Sequence, residues 1–330
     1  ANENLRRFAE AENVPVVTTI MGKGAIPTTH PLYVGNCGMH GKYAANKAVS
    51  ECDLLFSIGT RFNDRITGDL NEFAPKAKIV HIDVDTASIS RNVVVDVPIV
   101  ADANVALDKL NEWAEQKKTA EWQKQIKAWD EENPLGMRRD KGMTPQMIME
   151  HINKNYKDAI YVTDVGQHQM WATQYLELDS NSQLLTSGGL GTMGFGLPAA
   201  IGACMANDGK MTVCLEGDGS IMMNLQELQT IVTNQLPIKI FLINNEGYHS
   251  IRQTQNNLFK EHSKVGIGPE SHDLAFPNFA KLSAAFGIPY YCAHSNVEMR
   301  QVVDAVLAEE NFALCEIFVS TQQIFEPKSA

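Results

Sequence analysis

Between residues 143 and 319, short runs of apolar, often β-branched residues alternate with stretches of helical composition, and no other feature constrains the fold as strongly. Strand-like runs are predicted at 160–163, 184–187, 212–215, 238–243, 290–292 and 313–319. Helix-like stretches are predicted at 197–205, 225–234, 279–285 and 297–308. Runs that are apolar throughout belong to strands buried on both faces, and strands that alternate with helices build a parallel sheet with helices on both sides. The first third repeats the pattern, with helices at 4–13 and 44–51 and strands at 14–19, 54–58 and 79–82. The predicted fold class is therefore α/β, two doubly wound parallel-sheet domains at 1–110 and 143–330 joined by a helical linker at 111–142. The first domain opens with a helix where a doubly wound unit ordinarily opens with a strand, so its first strand is expected to be absent from the sequence. The linker holds seven basic and seven acidic residues in 32 and three of the four tryptophans. Trp122 and Trp129, seven apart, share a helix face expected to pack against a neighbouring domain.

Composition narrows the partners. Twenty-eight Lys and Arg against 39 Asp and Glu leave a net charge of -11, the wrong sign for neutralising a phosphate backbone, so no nucleic-acid partner is expected. The six cysteines are scattered without the close spacing of metal or redox motifs, which reads as reduced thiols of a cytoplasmic protein. Residues 180–207 carry no charge, yet six glycines and a proline interrupt them, so they read as loop plus buried helix and no membrane association is expected. The start of the chain lacks the charge and apolar pattern of a signal peptide.

Two glycine-rich loops carry the candidate chemistry. Residues 189–194 match GxGxxG after a strand and before a helix, and Glu216 ends the next strand where a ribose-binding acid belongs. That pattern alone allows an NAD-binding dehydrogenase. The strand at 212–215 then runs into Gly217-Asp218-Gly219-Ser220, and the strand at 238–243 ends in Asn244-Asn245-Glu246-Gly247. In a parallel sheet both strand ends lie on one edge, where Asp218 and Asn245 can converge. One carboxylate, one amide oxygen and the Gly247 carbonyl form a hard oxygen set suited to Mg2+, an ion that shares its octahedron with phosphate oxygens and water. The implied ligand is a diphosphate.

GDG, the 24 residues 220–243 and NN together resemble the thiamine diphosphate motif. Further segments resemble the acetolactate (acetohydroxyacid) synthase branch of that superfamily: GQHQMW at 166–171, TSGGLGTMGFGLPAAIGA at 186–203, GMHG at 38–41, ECDLLFSIGTRFNDR at 51–65 and HIDVD at 81–85. The resemblance spans almost the whole chain. It implies a central, nucleotide-binding-like domain followed by a thiamine diphosphate-binding domain. It further implies a reaction in which a 2-oxo acid such as pyruvate is decarboxylated and the carbanion is added to a second carbonyl, in a homodimer or homotetramer.

Carried over by position, the resemblance gives the metal to Asp218, Asn245 and Gly247. Gln167, His168, Gly219 and Ser220 would contact the diphosphate, with Gly191, Gly217 and Tyr248 completing the cofactor set. Met193 takes the place of the large apolar residue that props the cofactor in its bent form. The central domain of the synthases binds FAD without redox use in the main reaction, and Gly38, Met39, His40, Gly59, Arg61, Arg65 and Asp83 match its flavin contacts. The usual RFDDR reads RFNDR here, with Asn63 in place of an acid. Where the branch reads GMVxQW after the metal loop, this chain ends in Gln253-Thr254, so Thr254 replaces the tryptophan of the acceptor pocket. That change makes the pocket more polar and leaves open a thiamine-dependent decarboxylase or lyase with a different substrate. His249 and Arg252 are candidates for binding an anionic or hydroxylated substrate, or for contacting residues 260–274, which have the composition of a lid. No segment resembles the pyrimidine-binding domain that carries the family's activating glutamate, so the catalytic residue is unknown and the chain alone is expected to be inactive or nearly so. A non-catalytic assembly module is the alternative outside enzymes.

Overall fold

The computed structural model describes residues 1–136, 142–156, 158–259 and 262–321. They fall into two compact units, Ala1–Leu135 and the residues from Gly136 onward. Every strand pairing among them is parallel, as fully apolar strands alternating with helices require.

In the first unit, α1 (Asn2–Glu12) stops at Asn13, whose left-handed φ of 56° is tolerated best by asparagine among residues with a side chain. β1 (Val16–Thr18) pairs with β2 (Tyr33–Asn36), and β3 (Leu54–Ile58), β4 (Lys78–Asp83) and β5 (Val97–Val100) form a second sheet in that order. The helices are α2 (Tyr43–Glu51), α3 (Asp64–Thr67), α4 (Ala103–Asn111) and α5 (Ala120–Glu132). Asp102 starts α4 by accepting the N–H groups of Asn104 and Val105. On α5 the rings of Trp122 and Trp129 meet edge to face at 5.5 Å. With Ile126 they cover Ala44 and Ala48 of α2. The stripe expected to face a neighbouring domain thus packs inside its own unit. The part of the 111–142 segment at 137–141 lies outside the described residues.

The second unit is built on six strands in the order β10-β11-β9-β8-β6-β7. They are β6 (Ile160–Thr163), β7 (Gln183–Thr186), β8 (Thr212–Gly217), β9 (Ile238–Asn244), β10 (Tyr290–Ala293) and β11 (Ala313–Phe318). Every residue of β8 and β9 is buried. Alternate side chains face opposite ways, so Val213, Leu215, Phe241 and Ile243 pack with α6 (Pro145–Asn155), α7 (Gln167–Tyr175) and α12 (Asn296–Ala308). Cys214, Ile240 and Leu242 pack with α8 (Gly196–Ala206), α9 (Glu227–Thr233) and α11 (Phe279–Phe286) on the other side. α10 (His249–Leu258) follows β9. Among the described residues no helix is long and apolar enough to cross a membrane.

Phe241 is fully buried at the centre of one of these cores. Phe241→Ala should cost about 3–5 kcal/mol. Urea unfolding of the second unit checks this: the midpoint falls, and an unchanged midpoint would mean the core is packed elsewhere.

Candidate cofactor and metal site

The second sheet reverses its winding at β6, with β7 on one side and β8 on the other. The crevice beyond the carboxyl ends of the strands at such a point is where open α/β sheets take their ligands. The loops after β8 and β9 leave the sheet at the same level, Gly217 being in register with Ile243. Asp218 joins them: its Oδ1 accepts the Gly219 N–H and its Oδ2 the Gly247 N–H, both at 2.8 Å. Asn245 donates through Nδ2 to Oε1 of Gln167 at 2.9 Å, which draws in the start of α7. The structure therefore brings Asp218, Asn245, Gly247 and Gln167 into one bonded group. The Asp218 carboxyl is buried, and burial pushes its pKa up to about 7 against the lowering effect of the Gly247, Gly219 and Glu246 N–H groups; the charge of Glu316 adds to the rise.

Close approach explains the small residues. A Cβ on Gly219 would lie 2.1 Å from Cε1 of Tyr248, and one on Gly217 would lie 2.8 Å from Nδ1 of His168. Only glycine lets these rings close over the loop. The Tyr248 hydroxyl donates to the Gly219 carbonyl at 3.3 Å. Ser220 Oγ accepts the Gly217 N–H at 3.0 Å and donates to Glu216 Oε2 at 3.3 Å. His168 lies in the first turn of α7, and burial pushes its ring down to about 3. The ring is neutral, and its Nε2 is buried with no hydrogen-bond partner among the described residues. An orphaned polar atom beside a glycine-lined loop suits a ligand that supplies the missing bond.

Met193 is half-buried and Gly191 exposed, on the loop between β7 and α8. Two residues not singled out from the sequence hold that loop. Asp164 accepts the N–H groups of Gly194 at 3.0 Å and Gly196 at 2.7 Å, and Asn224 donates to the Gly194 carbonyl at 2.7 Å. Asp164 follows β6 as Asp218 follows β8, the one sequence signal that could have found it. Burial raises its carboxyl above the usual range. Glu216 lies beneath the first turn of α8: a Cβ on Gly196 would come within 2.1 Å of its Oε1. Fully buried there, it is closed to a ribose hydroxyl, so the acid of the dinucleotide reading is part of the core.

His249 and Arg252 share the buried side of α10. Burial, then the Arg252 charge, pushes the His249 ring down to about 4. Arg252 Nη1 contacts Glu270 Oε2 at 2.7 Å, and Nη2 donates to the Thr321 carbonyl. Contact with the segment after α10 is thus what Arg252 makes. Thr254 is exposed, its hydroxyl returned to the Ser250 carbonyl at 3.2 Å. Of the stretch 260–274, residues 260 and 261 lie outside the described residues.

In the first unit the candidate flavin residues form two groups. Gly38, Met39 and His40 follow β2, where the Met39 N–H donates to the Arg65 carbonyl at 2.8 Å and Arg65 Nη1 approaches Met39 Sδ at 3.6 Å. Burial, then Arg65, lowers the pKa of His40. Gly59, Arg61 and Asp83 lie at the carboxyl edge of β3 and β4, with the Gly59 N–H donating to the Ile82 carbonyl at 2.8 Å. Asn63 precedes α3 without capping it by its side chain.

Among the described residues no three His, Cys, Asp or Glu side chains are grouped to hold a metal. The donors of the bonded group are a carboxylate, an amide oxygen and carbonyls, a set that fits a hard cation sharing its shell with phosphate. Fold and site have the form of an α/β protein whose sheet switch point fits a phosphate-bearing cofactor.

Comparison with known families specifies it. A family model described as "Thiamine pyrophosphate enzyme, C-terminal TPP binding domain" matches residues 164–317, and one described as "Thiamine pyrophosphate enzyme, central domain" matches residues 1–110. The chain belongs to the thiamine pyrophosphate enzymes. It is 38% identical to the acetolactate synthase large subunit of Cyanidium caldarium over 100% of this chain and 57% of that protein. It is 40% identical to that of Pyropia yezoensis (93% and 52%) and 39% identical to acetolactate synthase 1, chloroplastic, of Zea mays (98% and 52%). The chain spans about half the length of the curated relatives it matches.

The Asp218 shift has a measurable consequence. Its carboxyl titrates at about 7 when folded and at 3.8 ordinarily, so folding favours the protonated form. That contribution is complete below about pH 4 and is lost as pH rises through about 7. Between about pH 5 and 8 the metal-free chain should lose stability relative to Asp218→Asn, whose neutral side chain does not titrate. Urea unfolding of both across that range checks it; a constant difference would mean that Asp218 titrates normally.

Proposed function

We propose that the chain is the cofactor-holding part of a thiamine diphosphate-dependent carboligase of the acetolactate synthase kind, acting on pyruvate or a similar 2-oxo acid. The bonded group of Asp218, Gly247, Asn245 and Gln167 at the sheet switch point is the observation that carries this reading. Asp218 by its carboxylate, Asn245 by its amide oxygen and Gly247 by its carbonyl would hold Mg2+. Gln167, His168, Gly217, Gly219 and Ser220 would meet the diphosphate, with the neutral His168 supplying an uncharged bonding partner. Gly191, Met193 and Tyr248 would border the rest of the cofactor. When bound, thiamine diphosphate supplies the carbanion chemistry of decarboxylation and ligation. The chain contributes orientation of the cofactor, compensation of its charge and exclusion of water by the closed glycine loops.

FAD in the first unit is part of the proposal, with Gly38, Met39, His40 and Arg65 on one side and Gly59, Arg61 and Asp83 at the sheet edge. So is assembly into a homodimer or homotetramer. Six unpaired cysteines fit a reducing compartment such as the cytoplasm. Thr254 favours a second reading, a lyase or decarboxylase with a more polar substrate. Product analysis with pyruvate on the full-length protein separates the two, acetolactate supporting the first and its absence the second.

Calorimetry of thiamine diphosphate should show binding with Mg2+ that weakens at least about tenfold with a chelator, and that is lost in Asp218→Ala. Equal affinity with and without Mg2+ contradicts the metal assignment. Since the proton and the cation compete for Asp218, affinity should fall as pH drops below about 7, by roughly tenfold per unit at most. In a separate test, reconstitution with FAD should leave flavin absorbance on the purified chain. Arg61→Ala with Arg65→Ala should remove it, and retention by the double variant would place the flavin contacts elsewhere.

A further inference from the structure

Behind the loop that carries Asn245 and Gly247 lies a buried carboxylate for which the cofactor set has no use. Glu316, near the carboxyl end of β11, is 4% exposed. Its Oε1 accepts from Asn244 Nδ2 at 2.6 Å and its Oε2 from the Tyr290 hydroxyl at 2.5 Å. Both donors are neutral, and among the described residues no Lys, Arg or His pairs with it. A desolvated carboxylate with only neutral partners is costly, and a fold retains one most readily where something outside the chain balances the charge.

Asn244 passes the constraint forward. Its Oδ1 accepts the Glu246 N–H at 2.9 Å, and its carbonyl accepts the Val319 N–H at 2.9 Å. The next residue in the turn, Gly247, reaches Asp218 Oδ2. A bonded line therefore runs from Tyr290 and Glu316 through Asn244 to the turn that presents Asn245 and the Gly247 carbonyl. The electrostatics run the same way, since the Glu316 charge is felt at Asp218.

We infer that Glu316 is a positioning residue for the divalent cation: it fixes the 244–247 turn through Asn244, and its buried charge, unpaired among the described residues, is balanced by the ion held at Asp218, Asn245 and the Gly247 carbonyl. This rests on the cation reading of the proposed function. A cation held at Asp218 would offset the repulsion that this second acid exerts there in the metal-free chain. A role confined to packing β10 on β11 through Tyr290 makes a different prediction.

Mn2+ titration of the full chain in the presence of thiamine diphosphate, read by electron paramagnetic resonance, distinguishes them. Glu316→Gln keeps the size and an acceptor for Asn244 but removes the charge. It should bind Mn2+ about tenfold more weakly, the order expected of one nearby charge at protein-like dielectric, while the metal-free melting temperature stays level or rises. Glu316→Asp, which keeps the charge, should recover most of the affinity. Tyr290→Phe keeps the charge with one donor fewer and should bind Mn2+ at least as tightly as the unaltered chain. Wild-type affinity in Glu316→Gln overturns the inference while leaving the cation site standing. Weaker binding by Tyr290→Phe also overturns it, and does so without relying on the folding of Glu316→Gln. Failure of the unaltered chain to bind Mn2+ overturns the cation reading and this inference together.

Discussion

The site depends on one carboxylate that holds two loops. Asp218 sits at the end of the central strand β8, and its two oxygens take N–H groups from its own loop and from the loop after β9. The Tyr248 hydroxyl adds a longer bond between the same loops, to the Gly219 carbonyl at 3.3 Å. A parallel sheet places both at one edge, and Asp218 turns that proximity into a defined spacing. Burial keeps the carboxyl protonated to about pH 7, so the metal-free site holds a proton where the proposed cation would bind. The proton and the cation are two answers to the same desolvated charge.

Asp218 is one of four buried acids in this part of the sheet. Asp164, Glu216 and Glu316 are the others, and their partners are backbone N–H groups, hydroxyls, a thiol and an amide. Each acid has a mechanical task. Asp164 pins Gly194 and Gly196 and so sets the loop bearing Met193, while Glu216 ties Ser220 to the strand end beneath α8. Burial raises Asp164 and Glu216 both, and the Asp164 charge adds to the rise of Glu216. Neutral donors satisfy the hydrogen-bonding capacity of these groups without cancelling their charge. Burial raises Asp164, Glu216 and Asp218 and so favours their protonated forms before any ligand arrives, which suits a divalent ion that displaces protons more than the direct capture of a phosphate. The proposed cation would reverse the sign that the diphosphate meets.

Much of this was legible in the sequence. The predominantly apolar runs of β8 and β9 marked buried strands despite Lys239, and the glycines of GDGS marked a loop that something must approach closely. The elements that escaped have physical reasons. β2 is four residues long and contains Gly35, and β5 carries Pro98, tolerated because β5 lies at the sheet edge. α7 buries Gln167, His168, Gln169 and Thr173, so the polarity that would ordinarily mark a solvent face faces inward. The same inversion hides Asp164, Glu216 and Glu316, since a single acid in a strand ending announces nothing about burial. The tryptophan stripe of α5 was correctly read as a packing face, but periodicity identifies a face without naming what it meets.

The least legible part of the site is α10, where composition suggested a substrate-binding arginine. Arg252 is buried and spent on Glu270 and the Thr321 carbonyl. Freeing it for a substrate carboxylate would leave Glu270 without its partner and the Thr321 carbonyl without a donor, a cost the substrate would have to offset in full. Helical spacing puts Ile251, Thr254 and Leu258 on the other side, three and four residues apart, and all three are exposed. That face is apolar at both ends with a hydroxyl between. Because Thr254 already returns its hydroxyl to the Ser250 carbonyl, its lone pairs are what it can still offer. A group that meets this face is bonded by Thr254 only where it brings its own hydrogen-bond donor.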